Sequence, residues 1–321
     1  MDISIDIAGI HMANPIVLAS GPMSNAKDAV IKAAEMGFGG IVTKSATIAP
    51  STGNPHPHLV MRQGYVINAD GIRNQGYKAM AKDILAAKNS GVSVPIIASV
   101  AGASLEEFVE MSREFEKNKA AGVELNFVCP NRGVLVGKVQ EESLGRYWVE
   151  TPDRAYPVIK AVKAAVKIPV WSKFPFETVY KNHEILRKME QAGVDAVVVT
   201  TSMPKAMEIN LDTGKPILGN ARGAGAVGGY IMKPLGVYCV SEIARIVKIP
   251  VIGSGGVFSG LDVIEYIMVG AQAVSVLTAI MQKVTVASML EEIKNFLSTK
   301  GYHNLNEIRG KSLRFLPPVS G

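Results

Sequence analysis

One pattern recurs along these 321 residues and restricts the fold more than any other. A helical segment runs to a glycine, and a short β-branched run follows, as in AAEMGFGGIVTK, KAAGVELNF, EQAGVDAVVV and IMVGAQAVSVL. The glycine is expected in the left-handed conformation that ends a helix. The run behind it is four to six residues of Val, Ile and Ala, as in a parallel strand buried on both faces. A second form, in VSVPIIASV, VKIPVWSKF and VKIPVIGSG, opens the strand with proline, where a missing N–H costs least.

Eight strands are predicted on this basis, over 15–19, 40–44, 95–100, 123–127, 169–174, 195–200, 250–253 and 273–277. Helical patterns lie between them, near 25–36, 76–90, 104–120, 153–166, 178–192, 233–247, 260–269 and 283–299. Eight βα units in a chain of this length predict an α/β fold of the closed (β/α)8, or TIM-barrel, type. The alternative is an open doubly wound sheet, which calls for fewer strands and a G-x-G-x-x-G turn after the first. Here the first strand is followed by SGPMSN. The opening ISIDIAGIHM reads as a small hairpin closing the base of the barrel. Long connections fall at 45–75, 129–152 and 201–232, and no linker divides the chain, so one domain over 1–321 is expected.

Composition agrees with a large buried core: 48% of residues are hydrophobic, 19% charged and 6% aromatic. The net charge of +6 is spread along the chain without blocks or aromatic interleaving. That argues against nucleic acid and leaves an anionic cofactor or substrate as one use for the excess. Two cysteines exclude a disulfide framework and any cysteine-rich iron–sulfur or zinc site, and no metal site is expected. MDISIDIAGI has neither the basic nor the apolar region of a signal peptide. VIEYIMVGAQAVSVLTAIM is interrupted by Glu265, Gly270 and Gln272, so it reads as helix, turn and strand, not a membrane span. A cytoplasmic location is expected.

In such barrels chemistry collects where the strands end. Those ends carry Ala19-Ser20-Gly21, Thr43-Lys44-Ser45, Asn126 with Cys129 and Asn131 beyond it, Lys173, Thr200-Thr201-Ser202, Gly253-Ser254-Gly255-Gly256 and Leu277-Thr278-Ala279. The 45–75 connection adds Asn68-Ala69-Asp70-Gly71-Ile72. Singly, each has a plain explanation: a strand-end lysine as a surface cation, Asn as a turn residue, Cys as a small buried hydrophobe. Their convergence on one rim argues otherwise. IGSGGV before a helix, then a short strand ending Leu-Thr-Ala, suits a phosphate: glycines expose backbone N–H groups and a helix N-terminus adds its dipole. Lys44 and Lys173 could then meet the polar edge of a flavin ring, where positive charge favours the reduced anion.

These motifs make the chain resemble the dihydroorotate dehydrogenase and dihydropyrimidine dehydrogenase family of FMN barrels. The resemblance covers about residues 3–311 and rests on ANPIVLASGP, GIVTKSAT, GNPHPHLV, NADGIRNQG, ELNFVCPN, IPVWSKF, GYIMKP, IPVIGSGGV and GAQAVSVLTA. NFVCPN and the spacing from KP to GSGG are the more specific. The resemblance implies Cys129 as the active-site base. It implies Lys44, Asn68, Asn126 and Asn131 as groups that grip a pyrimidine ring, with Asp70, Gly71, Ile72 and Thr201 beside them. FMN contacts are implied at Ala19, Ser20, Gly21, Lys44, Ser45, Asn68, Asn126, Lys173 and Thr200, and its phosphate contacts at Gly228, Gly229, Gly255, Gly256, Leu277 and Thr278. Oxidising a 5,6-dihydropyrimidine sends a hydride to flavin N5 and a proton to a base on the opposite face, and a thiolate serves as that base. Cys239, inside LGVYCVSEIARIV, reads as core. A homodimer is also implied. So is an electron-transfer partner carrying FAD or iron–sulfur centres, since this chain has no cysteine cluster.

The chain departs from the family pattern at several points. Thr200-Thr201 stands where Asn-Thr or Asn-Ser is usual, Asp70 where an apolar residue precedes Gly, His58 where an arginine follows G-N-P-x-P, and Leu277 where the phosphate turn has Gly. A carboxylate at Asp70 would sit near the carboxylate of orotate, with Arg73 as a possible compensating charge. A neutral dihydropyrimidine is the alternative substrate that Asp70 and Thr200 suggest. The 132–152 connection is longer than usual and, with Tyr147 and Trp148, is a candidate lid. Two other readings compete: an aldolase or isomerase forming a Schiff base on Lys44 or Lys173, and a barrel that keeps its cofactor pocket without turnover.

Overall fold

The computed structural model describes residues 1–128, 145–181, 183–199 and 202–318; Cys129, Asn131, Thr200 and Thr201 lie outside them. The chain opens with a hairpin of β1 (Ile5–Ile7) and β2 (Ile10–Met12), in which Ile5 pairs with Met12 and Ile7 with Ile10. Strict alternation buries these four and leaves Asp6 and His11 in solvent. The buried side chains reach the first residues of barrel strands: Met12 packs under Gly40, and Ile10 lies where a Gly122 Cβ would crowd it at 3.1 Å. The hairpin therefore closes the amino-terminal end of the barrel.

Eight parallel strands close on themselves. They are β3 (Ile16–Leu18), β4 (Gly40–Val42), β7 (Ile96–Val100), β8 (Gly122–Asn126), β9 (Val170–Lys173), β10 (Ala196–Val199), β13 (Val251–Ser254) and β14 (Ala273–Val276), which pairs back onto β3. Closure excludes the open sheet. All eight expected strands are present, each within a residue or two of its predicted ends. Their residues are buried on both faces, which is why they read as unbroken apolar runs. The prolines expected to open strands do so by accepting only: Pro95 O takes the Ile41 N–H at 2.9 Å and Pro169 O the Val123 N–H at 2.9 Å.

The surrounding helices are α1 (Lys27–Glu35), α2 (Tyr77–Asn89), α3 (Leu105–Lys117), α4 (Pro152–Ala165), α5 (Glu177–Lys181), α6 (His183–Gln191), α7 (Lys233–Ile243), α8 (Gly260–Met268), α9 (Thr278–Met281) and α10 (Val286–Lys300). Left-handed glycines follow α1, α6 and α8, as expected, at Gly37, Gly193 and Gly270. KAAGVELNF breaks the rule. Lys119 takes the left-handed position there, at φ 66°, and Gly122 instead begins β8, where a side chain would strike Ile10 and Pro169 O. The helix predicted near 178–192 is described as α5 and α6, with residue 182 between them outside the described residues.

Two of the long connections are not loops. β5 (Leu59–Arg62) and β6 (Tyr65–Asn68) come from 45–75, and β11 (Met203–Ala206) and β12 (Gly225–Gly229) from 201–232. They form one antiparallel sheet in the order β11-β12-β6-β5. The pairing of β12 with β6, Ala226 opposite Asn68 and Gly229 opposite Tyr65, joins two segments far apart in the chain. Among the described residues, no helix is long and apolar enough to cross a membrane.

Candidate active site

A cavity of about 160 Å³ lies at the carboxyl ends of the strands. It is lined by Ala19 and Ser20 beyond β3, Lys173 at the end of β9, Gly228 and Gly229 of β12, Gly255 and Gly256 beyond β13, and Leu277 and Thr278 beyond β14. Nine sequence-derived candidates thus meet in one place. Ser202, Met232, Ser254, Val257, Phe258, Ser275 and Val276 complete the wall. Gly21 is not part of the lining. Its bare Cα makes room for Leu277, whose Cδ2 would lie 2.5 Å from an added Cβ.

The turn after β13 is held from behind. Tyr266, fully buried on α8, donates to Gly255 O at 2.6 Å, with Ser254 O at 3.3 Å. Burial raises its phenol pKa well above the ordinary value, so it remains a donor. Gly256, at φ 70°, lies so close to α7 that a Cβ would come within 2.3 Å of Lys233 N. Among the described residues, no backbone carbonyl takes the N–H of Gly256 or Val257. These donors are available to a ligand beside the cavity they line. The helix dipole expected after this strand is not free, because Ser259 and Asp262 close the start of α8 with a capping box. The start of α9 has no side-chain cap, and its N-cap residue Leu277 lines the cavity with Thr278. Lys233 of the GYIMKP motif pairs with Asp262 at 2.8 Å and Glu265 at 3.0 Å, and these carboxylates raise its pKa. It joins α7 to α8.

A chain of buried polar groups runs from the cavity into the barrel. Ser20 Oγ lies 3.1 Å from Ser45 Oγ, which lies 2.8 Å from Ser99 Oγ. Ser99 Oγ donates to Glu124 Oε1 at 3.1 Å, and Lys173 Nζ sits 3.8 Å from the same oxygen. Glu124 is 1% exposed, so the lysine and serine are its substitutes for water. Asn126 joins at Ser45, donating to its Oγ at 2.8 Å, and its Oδ1 accepts the N–H of Val128 at 3.0 Å. Asn126 therefore fixes the backbone immediately before Cys129.

The third group stands on the 45–75 connection. Asp70 Oδ2 accepts from Lys44 Nζ at 2.5 Å. Its Oδ1 is 3.2 Å from His58 Nδ1, close enough for attraction but off the line of a hydrogen bond. Burial lowers the His58 pKa, against a smaller upward pull from Asp70. Arg73, the compensating charge expected, makes no ion pair with Asp70 among the described residues; its Nη2 donates to Asn54 O at 2.9 Å. Asn68 Nδ2 is 3.3 Å from Ala226 O and 3.5 Å from the cavity residue Ser202. Ile72 is buried with φ at 54°, a strained conformation for a β-branched residue, next to Gly71 at φ 72°.

Residues 132–144 of the candidate lid lie outside the described residues; of its two aromatics, Trp148 belongs to the core and Tyr147 packs against it. Trp148 is 9% exposed, packs edge-on to Phe108 at 5.7 Å and donates to Gly102 O at 3.0 Å. Arg146 grips Glu177 at 2.7 and 3.2 Å and reaches Val128 O at 3.3 Å. It ties the residues on both sides of 129–144 together. Sequence reasoning missed Ser99, Glu124, Arg146 and Tyr266. For Ser99 and Glu124 a signal existed: each is a polar residue inside an otherwise apolar strand.

A closed βα barrel with an anion-ready glycine turn and a ring of amides, hydroxyls and ion pairs at its mouth defines a ligand-binding barrel of the enzyme type. Residues 3–297 match the family model described as dihydroorotate dehydrogenase. The chain is 35% identical to the protein named dihydroorotate dehydrogenase B (NAD(+)), catalytic subunit, of Methanocella arvoryzae, over 98% of this chain and 99% of that one. Identity to the proteins of the same name is 34% in Methanosarcina acetivorans, covering 96% and 95%, and 32% in Bacillus pumilus, covering 97% and 96%. A crystal structure of DHODH from Eimeria tenella in complex with ferulenol superimposes with a TM-score of 0.80 at 18% identity, covering 98% and 89%, and shows the same fold. The chain belongs to the dihydroorotate dehydrogenase family, oxidoreductases that act on CH–CH donors.

Proposed function

We propose that this protein is an FMN-dependent oxidoreductase, one domain over its 321 residues, that interconverts a 5,6-dihydropyrimidine and its unsaturated form, with Cys129 as the base. The observation that carries the reading is the joining of the glycine-lined cavity to the Asn126–Val128 segment through Ser20 and Ser45. The lining of the cavity suits the phosphate end of FMN. The N–H groups of Gly256 and Val257, which no backbone carbonyl takes among the described residues, offer donors to a phosphate. Lys173 brings a cation into the same space. Bound there, FMN would supply the acceptor for the hydride.

The remaining steps fall to the chain. Lys44, Asn68, Asn126, Asn131 and Thr201 would hold the ring, and Gly71 and Ile72 would shape its edge. Asn126 has a second amide hydrogen beyond the one given to Ser45. By taking the Val128 N–H it also orients the residue that precedes the base. Cys129, as thiolate, would take the proton from the carbon next to the one losing hydride; an ordinary thiol pKa of about 8.5 puts that within reach of neutral pH. A Schiff-base reaction is disfavoured. Lys44 and Lys173 are both committed to carboxylates, whereas such a lysine works as a desolvated amine.

Two cysteines cannot build an iron–sulfur centre, and three relatives bear the name catalytic subunit. We therefore place electron exit in a partner chain carrying FAD or iron–sulfur centres, in a cytoplasmic assembly with a homodimeric catalytic component. The test is the visible spectrum of the purified protein, followed by anaerobic addition of dihydroorotate, dihydrouracil and dihydrothymine. Bleaching of a flavin band by one of them, abolished in Cys129→Ala, is expected. A colourless protein that takes up no FMN would refute the reading.

A further inference from the structure

Asp70 occupies a telling place. It lies two residues beyond Asn68, whose amide reaches Ser202 in the cavity wall. On its other side it holds Lys44, next in sequence to Ser45, the hydroxyl on which Ser20, Ser99 and Asn126 converge. The carboxylate therefore stands on the rim between the cavity and the segment leading to Cys129.

Most of the cations near this rim are already paired with carboxylates. Lys44 is paired with Asp70, Lys173 with Glu124 and Arg146 with Glu177. Arg73 is turned to a backbone carbonyl. His58, the remaining basic group at Asp70, is disfavoured as a cation by burial. Asp70 Oδ2 is taken by Lys44, but Oδ1 receives no hydrogen bond from His58, whose Nδ1 is out of line. The side chain is 24% exposed, so this oxygen is an acceptor open to a ligand.

We propose that Asp70 sets the substrate class: the site takes an uncharged ring whose N–H donates to the Asp70 carboxylate, and it rejects rings bearing a carboxylate at that edge. A ring carboxylate would meet a like charge at Asp70, whereas an amide N–H supplies the donor that Oδ1 lacks. The proposal rests on the assignment of this rim to ring binding, and it departs from the substrate in the relatives' names.

The test is isothermal titration calorimetry of the purified protein, supplemented with FMN, against uracil and orotate. The wild-type chain should bind uracil at least tenfold tighter than orotate. Asp70→Asn should shrink that ratio tenfold or more, chiefly by tighter orotate binding. Asp70→Ser serves as a second neutral variant should Asn disturb the fold, monitored by thermal melting. Tighter binding of orotate by the wild-type chain, an unchanged ratio in folded neutral variants, or binding of neither ring would overturn the proposal. A protein without a flavin band that still prefers uracil would defeat the redox reading and leave this one standing.

Discussion

The two cysteines have different roles in this reading. Cys239 is buried on α7, and burial pushes its thiol up to about 12, so the thiolate form is suppressed. Iodoacetamide at neutral pH should therefore label the folded protein once. Mass spectrometry should find that single adduct on Cys129, and none in Cys129→Ser. His58 gives a pH signature. Its native pKa lies below the ordinary 6.5 because burial disfavours the cation, so between the two values the unfolded chain binds the extra proton. Stability is then fully present above pH 6.5 and drains as pH falls through that window. The melting temperature should drop between pH 7 and pH 5.5, and His58→Asn should flatten part of that drop. At this scale the sequence exposes rim residues better than interior ones. Lys44, Asn126 and Lys173 announce themselves because strands end there. Glu124 and Ser99 hide within apolar runs, and only the fold shows that one lysine and one hydroxyl make a buried carboxylate tolerable.

Elements were legible where one physical rule decided them. The eight strands follow from apolar runs bounded by glycine or proline, a signal that needs no tertiary partner. Lys119 shows the limit: a left-handed helix end was satisfied without glycine, and the glycine nearby answered to Ile10 across the barrel base. The sheet of β5, β6, β11 and β12 was illegible for a similar reason. Its strands are short, β11 contains Pro204 and β12 is mostly glycine, so their pairing is set by each other and not by local propensity. The same dependence operates between α7 and α8. A Cβ at Gly236 would fall 1.7 Å from Tyr266 Oη, so Gly236→Ala should destabilise the protein by roughly 1–3 kcal/mol in urea unfolding. In a Tyr266→Phe background the penalty should shrink, and a double-mutant cycle would give the coupling.

At the scale of the molecule, the barrel brings to one end residues separated by more than two hundred positions, from Ala19 to Thr278. The proposed homodimer predicts a mass of twice 34.2 kDa for the isolated chain by light scattering in solution. A mass of 34.2 kDa at micromolar concentration would remove that part of the proposal. The bond between β12 and β6 has a further consequence, one of timing. One wall of the cavity exists only when residues 65–68 and 225–229 have found each other, and its floor waits for β13 and β14. During synthesis the chain passes most of its length with no place to receive a cofactor. In the proposed holoenzyme, cofactor uptake would therefore wait until β13 and β14 have closed the ring.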